Sequence, residues 1–400
     1  VLLSLIAISL LLAVWALLAR GMEKWRITPP LFLLLAGAVV EYTTHGSLAD
    51  TLNSETAEQA AKIVLAVLLF VDANAMRAGL FGEHPRSAAR VLFVALPLSV
   101  GIAVLLGLWL LPGLSLATVV VIACIVVPID FAPAQWIVRH REVPHRVSDL
   151  LNVEAGHNDG ILSPIFLFAL AVADQHVEAG SVWDELGEAL PHSAKAILVG
   201  VLVGAGLALG ANLAERKNLM TDQSRRMLVV AAPAAAYTLA IWWHGNGFVA
   251  AYLCGVAYHY YRQSSDAERE LELLEDLGFL LTSLMWFVFG GVILIAYWRA
   301  DLTVGIVVFC LLALTLVRML PVLLAMFGSK FSWRERVMLG GLGPRGAAVI
   351  VFGLLAYNVL DPPDENTILL VVVVVVLGSV VLHGFGGPIA ARALAGRQSE

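Results

Sequence analysis

The chain has 400 residues, of which 60% are hydrophobic and only 14% charged, with a mean hydropathy of +0.85. Soluble domains are about a quarter charged, so this composition excludes one and describes a polytopic membrane protein. The net charge of −6 then says little about partners and points to no nucleic acid, because in a membrane protein the depth and side of each charge count for more than their sum.

Apolar windows of roughly 20 residues predict thirteen membrane-spanning helices, with limits near 2–19, 29–44, 57–76, 90–111, 115–138, 147–173, 191–212, 225–243, 247–261, 271–295, 302–327, 336–356 and 367–388. The first run lacks a basic leader and is followed by Arg20, Lys24 and Arg26, so it reads as a span rather than a signal peptide. The window 247–261 is the shortest, and a lower count would merge it with its neighbour through His244-Gly245-Asn246-Gly247. Cys124, Cys254 and Cys310 lie in apolar runs without metal-ligand spacing, and read as buried thiols outside any disulfide framework.

The loops orient these spans. One alternate set carries Arg20/Lys24/Arg26, Arg77/Arg86/Arg90, Arg139/Arg141/Arg146, Arg216/Lys217/Arg225/Arg226, Arg262/Arg269, Lys330/Arg334/Arg336 and Arg392/Arg397, which is 20 of the 25 Lys and Arg. The other set is acidic, at Glu41 to Glu58, Asp174 to Glu188 and Asp361 to Glu365. By the positive-inside rule the N-terminus is expected outside and the C-terminus in the cytoplasm, in a multi-pass protein of the inner (plasma) membrane. Lys62, Lys195 and Arg299 lie near outer helix ends, where long side chains snorkel.

Thirteen spans permit an inverted repeat of spans 1–6 and 8–13, with span 7 as connector. Secondary transporters carry Gly/Pro-interrupted helices at corresponding places in the two halves. Span 5 contains Val127-Pro128-Ile129-Asp130-Phe131-Ala132-Pro133 and span 12 contains Gly340-Gly341-Leu342-Gly343-Pro344-Arg345-Gly346. Both are the fifth element of their half, and each carries one charge of opposite sign beside its break.

Six ionisable residues fall well inside spans: Asp72, Asp130, Glu154, Asp159, Arg318 and Arg345. An acid at the centre of a membrane helix costs on the order of 3 kcal/mol on insertion scales. Span 6 holds two, in Asn152-Val153-Glu154-Ala155-Gly156-His157-Asn158-Asp159-Gly160-Ile161-Leu162-Ser163-Pro164. Beside the breaks, Asp130 suits exposed helix N-termini and Arg345 suits exposed carbonyls, both architectural roles. Glu154 lies at the depth of Arg318, and Glu154–Arg345 is the competing pair. Asp159 has no obvious basic partner. It is therefore the candidate at which a proton and a cation compete for one carboxylate, with Ser163 one turn later, Asp130 and freed carbonyls of span 5 as further oxygens, and Asp72 lining or joining the site. The plainer reading makes Asp159 an acid satisfied by interhelical hydrogen bonds. On the helical wheel His157 points away from Asp159, toward another helix, and Asn158 has a packing role open to it.

At these residues the chain resembles the monovalent cation:proton antiporter-1 family, the NhaP-type sodium/proton antiporters. Glu154-x-x-x-Asn158-Asp159-Gly160 is similar to the family's sixth-helix Asn-Asp motif, Gly343-Pro344-Arg345-Gly346-Ala347 to its twelfth-helix motif, and Leu68-Leu69-Phe70-Val71-Asp72 to its third helix. The resemblance implies an all-α NhaA/NhaP-like antiporter fold with crossed discontinuous helices at spans 5 and 12. It further implies a dimerisation scaffold from spans 1–3 and 8–10 and an ion-transporting core from spans 4–6 and 11–13 within one domain. Asp159 would bind cation and proton alternately, Asn158 would replace the second acid of the electrogenic branch, and Arg318 would be the partner of Glu154. A homodimer, elevator-like movement, electroneutral exchange of Na+ (or Li+ or K+) for H+, a part in pH homeostasis and no cofactor follow. The chain departs from the family at Ile129-Asp130-Phe131, where Thr-Asp-Pro is usual, and at Ala155, where a hydroxyl is common. Against a channel stands the absence of a repeated filter-like loop, and against an intramembrane enzyme the absence of nucleophile–base or metal spacing. A potassium/proton antiporter stays open.

Overall fold

The computed structural model describes residues 2–24, 28–44, 55–74, 81–131, 134, 137, 143–174, 182–264, 266–299, 301–362 and 364–386. These residues are organised as α-helices: α1 (Leu2–Lys24), α2 (Pro29–Thr44), α3 (Glu55–Asn74), α4 (Pro85–Leu110), α5 (Leu116–Val126), α6 (His145–Asp174), α7 (Val182–Arg216), α8 (Asp222–Trp242), α9 (Gly247–Tyr261), α10 (Ala267–Arg299), α11 (Val304–Ala325), α12 (Trp333–Gly341), α13 (Ala347–Val359) and α14 (Asp364–Ser379). Stretches within α4, α6, α7, α10 and α11, and α14 together with the turn that continues it to Gly384, are long and apolar enough to cross a membrane; α1, α2, α5 and α13 contribute shorter apolar segments. Pro133, Arg26, Arg77, Arg139, Arg141, Arg392 and Arg397, and much of the first two acidic loops, lie outside the described residues.

Local chemistry sets the helix ends. Ser115 starts α5 by accepting from the Thr118 amide at 3.1 Å, and Ser332 with Glu335 forms a capping box at the start of α12. Asn246 accepts from the amides of Phe248 and Val249, so α9 begins afresh instead of continuing α8; His244, at φ 55°, makes the turn between them. Helix α4 begins at Pro85, ahead of the expected 90, because proline is pre-set for a first turn. Pro164 lies inside α6 without ending it.

In lipid, helices associate through close packing rather than hydrophobic expulsion. Helices α2 and α10 meet backbone to backbone, a Cβ at Gly37 falling 1.9 Å from the Phe287 carbonyl. Phe166 of α6 stacks on Phe352 of α13 at 4.6 Å, within a core shared by α3, α5, α6, α10, α11, α13 and α14. Outward faces present large apolar residues such as Leu10, Leu105, Trp109, Leu202 and Trp242, the surface a bilayer requires. Beyond the end of α9, Arg262 donates to Asn212 and Glu215 at 2.7 Å and to Glu270 at 2.9 Å, joining α7, α9 and α10. Burial works against that charge, but the bonds to Glu270 and Glu215 outweigh it and hold Arg262 protonated above its ordinary range.

Candidate functional site

The two interrupted segments meet at their breaks. Helix α5 stops at Val126, just ahead of Pro128, whose ring nitrogen cannot donate to a continuing helix. The run Leu342-Gly343-Pro344-Arg345-Gly346 separates α12 from α13. Each break leaves orphan backbone groups, and the opposite segment meets them. The Asp130 amide donates to the Pro344 carbonyl at 2.8 Å, and Asp130 Oδ2 accepts from the Ala347 amide at the start of α13 at 2.6 Å. Arg345 is wholly buried; its Nε donates to the Val126 carbonyl at 2.6 Å, its Nη1 to the Gly343 carbonyl and its Nη2 to the Ala313 carbonyl at 3.4 Å. A carboxylate thus faces a helix N-terminus and a guanidinium faces a helix C-terminus, the polarity that helix dipoles favour.

Of the two arginines compatible with Glu154 by depth, Arg318 is the one that meets it. Its Nη1 and Nη2 engage the two carboxylate oxygens, Nη2 to Oε2 at 2.9 Å, and Nη2 also donates to the Leu339 carbonyl at 3.0 Å. Both side chains are buried. The fork geometry is the strong, bidentate kind, and it joins α6, α11 and the end of α12.

Five residues further along α6 lies Asp159, 5% exposed, whose Oδ1 is shut off from solvent without a hydrogen-bond partner. Asn158 uses both ends of its amide: Nδ2 donates to the Ile129 carbonyl at 2.9 Å and Oδ1 accepts from the Asp159 amide at 2.6 Å. It thereby fastens α6 to the extended stretch after α5. The half-buried carboxylates of Asp72, on α3, and Asp130 lie within electrostatic reach of Asp159. Ser163 is fully buried and its hydroxyl donates to the Gly160 carbonyl at 3.3 Å, leaving oxygen lone pairs for another partner. Among the described residues no group of three or more His, Cys, Asp or Glu is gathered tightly enough for a metal site. Three acids therefore share a neighbourhood, with Arg318 and Arg345 both engaged elsewhere. A buried acceptor left without a partner costs roughly 1–3 kcal/mol, more when charged; a proton or a small cation removes that cost.

His157 faces away from this group. Its Nδ1 lies 2.8 Å from the Val153 carbonyl, its ring stacks on Phe81 and meets Tyr252 edge-on. Tyr252 itself is a residue the sequence did not single out. It reaches the site from α9, its ring seated on Gly160 so closely that a Cβ there would fall 2.5 Å from ring carbons, and its hydroxyl lies within electrostatic reach of Asp72 and Asp159. An aromatic in an apolar span carries no marker of such a neighbour. Ser379 and His383, in the last helical segment, are not among the residues singled out from the sequence; the signal for them is a polar pair in a span dominated by valine and leucine.

The family model described as "Sodium/hydrogen exchanger, transmembrane" matches residues 7–393. The chain is 23% identical to a Na(+)/H(+) antiporter of Schizosaccharomyces pombe, over 90% of this chain and 81% of that protein. It is also 23% identical to the K(+)/H(+) antiporter NhaP of Alkalimonas amylolytica, covering 90% of this chain and 62% of that longer protein. The fold is similar to that of the sodium proton antiporter MjNhaP1 from Methanocaldococcus jannaschii at pH 8, with a TM-score of 0.79, 19% identity and 99% of both chains covered.

Proposed function

We propose, from the premise that this chain belongs to the sodium/hydrogen exchanger family, that Asp159 is the group through which it exchanges one monovalent cation for one proton. The protein is a multi-pass membrane antiporter of cations against protons, a transporter rather than an enzyme, and the ions are its cargo. The observation that carries the assignment of the site is the buried, unpartnered Oδ1 of Asp159 beside the crossed breaks.

In this reading the ionised Asp159 takes a cation from one side, with Ser163, Asp72, Asp130 and carbonyls of the 127–131 stretch as further oxygens. After the site is exposed to the other side, a proton displaces the cation. Asn158 brings no ionisable group, so a single carboxylate is exchanged and turnover moves no net charge. Glu154 and Arg318 form a structural pair, and Asp130 and Arg345 hold the crossing while Asp130 also faces the ion. Helices equivalent to spans 4–6 and 11–13 move as the ion-carrying core against a scaffold of spans 1–3 and 8–10 that forms a homodimer, with span 7 linking the halves. The basic loops support thirteen crossings in the plasma membrane, N-terminus outside and C-terminus in the cytoplasm. Sodium is the expected cation; the potassium relative makes K+ the competing one.

The test is reconstitution in proteoliposomes with an imposed pH gradient, challenged in turn with Na+, Li+ and K+. Cation-driven proton movement in the native protein and none in Asp159→Asn is the expected result. Proton movement that survives in the variant sinks the assignment, and current accompanying turnover refutes one-for-one exchange.

A further inference from the structure

The end of α12 at the crossing is sealed by side chains from three places. The Leu339 carbonyl accepts from Arg318 of α11, the Gly343 carbonyl from Arg345, and the Gly341 carbonyl lies 3.2 Å from Nε2 of His383. The first two donors are guanidinium groups that also engage Glu154 and the Val126 carbonyl. The third is an imidazole, 2% exposed, in a turn of π-helix (Val380–Gly386) that follows α14.

Donor and acceptor counting over these partners favours one arrangement of that imidazole. A carbonyl only accepts, so Nε2 carries the proton and donates to Gly341. In the neutral ring Nδ1 is then an acceptor, and the fully buried Ser379 hydroxyl lies 3.2 Å from it. The same hydroxyl oxygen accepts from the Arg345 backbone amide at 2.7 Å, so its own proton is available for Nδ1. The bonds run head to tail: Arg345 N–H to Ser379 Oγ, Ser379 O–H to His383 Nδ1, His383 Nε2–H to the Gly341 carbonyl. The alternative tautomer matches Nδ1 with the Ser379 carbonyl, also at 3.2 Å, but sets the Nε2 lone pair against that of Gly341.

We propose that His383, acting with Ser379, is a positioning residue of the transport cycle, a neutral clamp that fastens both sides of the α12–α13 break to the last helix. The pair touches the strand of chain on either side of Pro344, whose carbonyl receives the Asp130 amide. It therefore sets the place of Asp130 and the extended stretch that Asn158 grips, without contacting the ion. The inference rests on the antiport reading, since it assigns the clamp to that cycle.

The test compares His383→Ala, His383→Gln, His383→Asn and Ser379→Ala in proteoliposomes loaded for Na+-driven proton movement. A glutamine amide reaches about as far as Nε2 and keeps the donor to Gly341; an asparagine amide stops near Nδ1. Losing one buried bond at a hinge is expected to lower the maximal rate of the alanine and asparagine variants about tenfold at an unchanged apparent KM for Na+. The glutamine variant should return to within about a factor of two, and Ser379→Ala should fall between. Hydrogen exchange in detergent supplies a readout independent of transport: amides of 342–347 should exchange faster in the alanine and asparagine variants than in the glutamine variant. Glutamine as impaired as asparagine in both assays, or alanine indistinguishable from the native protein, overturns the clamp. If the native protein itself moves no cation, the antiport reading fails while the exchange comparison still decides whether the clamp exists. Should the alanine variant fail to fold, glutamine against asparagine carries the decision.

Discussion

Asp130 reaches across the two breaks to the first amide of α13, its Oδ2 accepting from Ala347 N at 2.6 Å. One side chain thereby closes the buried start of α13, at the same breaks where Asp159 keeps an oxygen unspent. This bond predicts a separation of stability from charge. Asp130→Ala leaves the Ala347 amide without an acceptor and should destabilise the protein by about 1–3 kcal/mol. Asp130→Asn keeps an oxygen in place and should retain most of the stability, giving up the charge–dipole part of about 0.3–1 kcal/mol. Thermal denaturation in detergent measures both; equal losses for the two variants would contradict the capping role.

The pairing of Glu154 with Arg318 predicts an asymmetry between breaking and replacing. Removing one member of a buried ion pair strands the other and costs roughly 3–5 kcal/mol, whereas replacing both by apolar groups is often neutral. Arg318→Ala or Glu154→Ala should therefore lower folded yield sharply with little change in apparent cation affinity for the surviving fraction. Glu154→Leu combined with Arg318→Met should recover yield. Size-exclusion profiles of the detergent-solubilised variants give the yield, and unchanged yield with a large loss of affinity would move Glu154 into the ion site.

How much of this was readable beforehand divides along physical lines. The membrane-spanning class is legible because lipid demands apolar helices, and the breaks because Pro128 and the Gly343-Pro344-Arg345-Gly346 run interrupt one. Asp130, Glu154, Asp159, Arg318 and Arg345 stand out because charges in a membrane are costly. Depth alone does not choose between Arg318 and Arg345 for Glu154, since it says nothing about a helix's rotation or its neighbours; the family resemblance favours Arg318, and that is the pair observed. The surroundings of Tyr252 and of the His383–Ser379 pair are not legible, because a tyrosine or a serine in an apolar span is compatible with many neighbours. Ser163 shows the same limit: its spacing puts it near Asp159, while only the structure shows its proton directed to the Gly160 carbonyl.

The contact between Gly160 and Tyr252 predicts a coupling. A methyl group at Gly160 falls 2.5 Å from the tyrosine ring, an approach that real side chains do not make. Gly160→Ala should cost about 1–3 kcal/mol through displacement of α6 against α9. Tyr252→Ala, which empties the space opposite, should be less damaging in the Gly160→Ala background than in the native one. A double-mutant cycle on thermal stability should show an interaction of at least about 0.5 kcal/mol. Simple additivity would mean that the two helices yield at this point without cost.

Competition for one carboxylate predicts how cation affinity follows pH. If Asp159 is the exchange group, its protonation removes the carboxylate that the proposal assigns to the cation, so lowering the pH through the titration of the site should raise the apparent KM for Na+. The limiting slope is about tenfold per pH unit, the consequence of one proton excluding one cation. Well above that titration the group is ionised and KM should become independent of pH. At saturating Na+ the cation displaces the proton, so the rise in KM needs no matching fall in the binding-limited occupancy. Initial rates across a pH series at equal internal and external pH, with isotopic Na+ exchange as the readout, give both parameters. A slope approaching a hundredfold per unit would mean that two protons leave for each cation bound, which would bring Asp72 or Asp130 into the exchange alongside Asp159. A KM that stays flat across the series would show that proton and cation do not share the carboxylate at all.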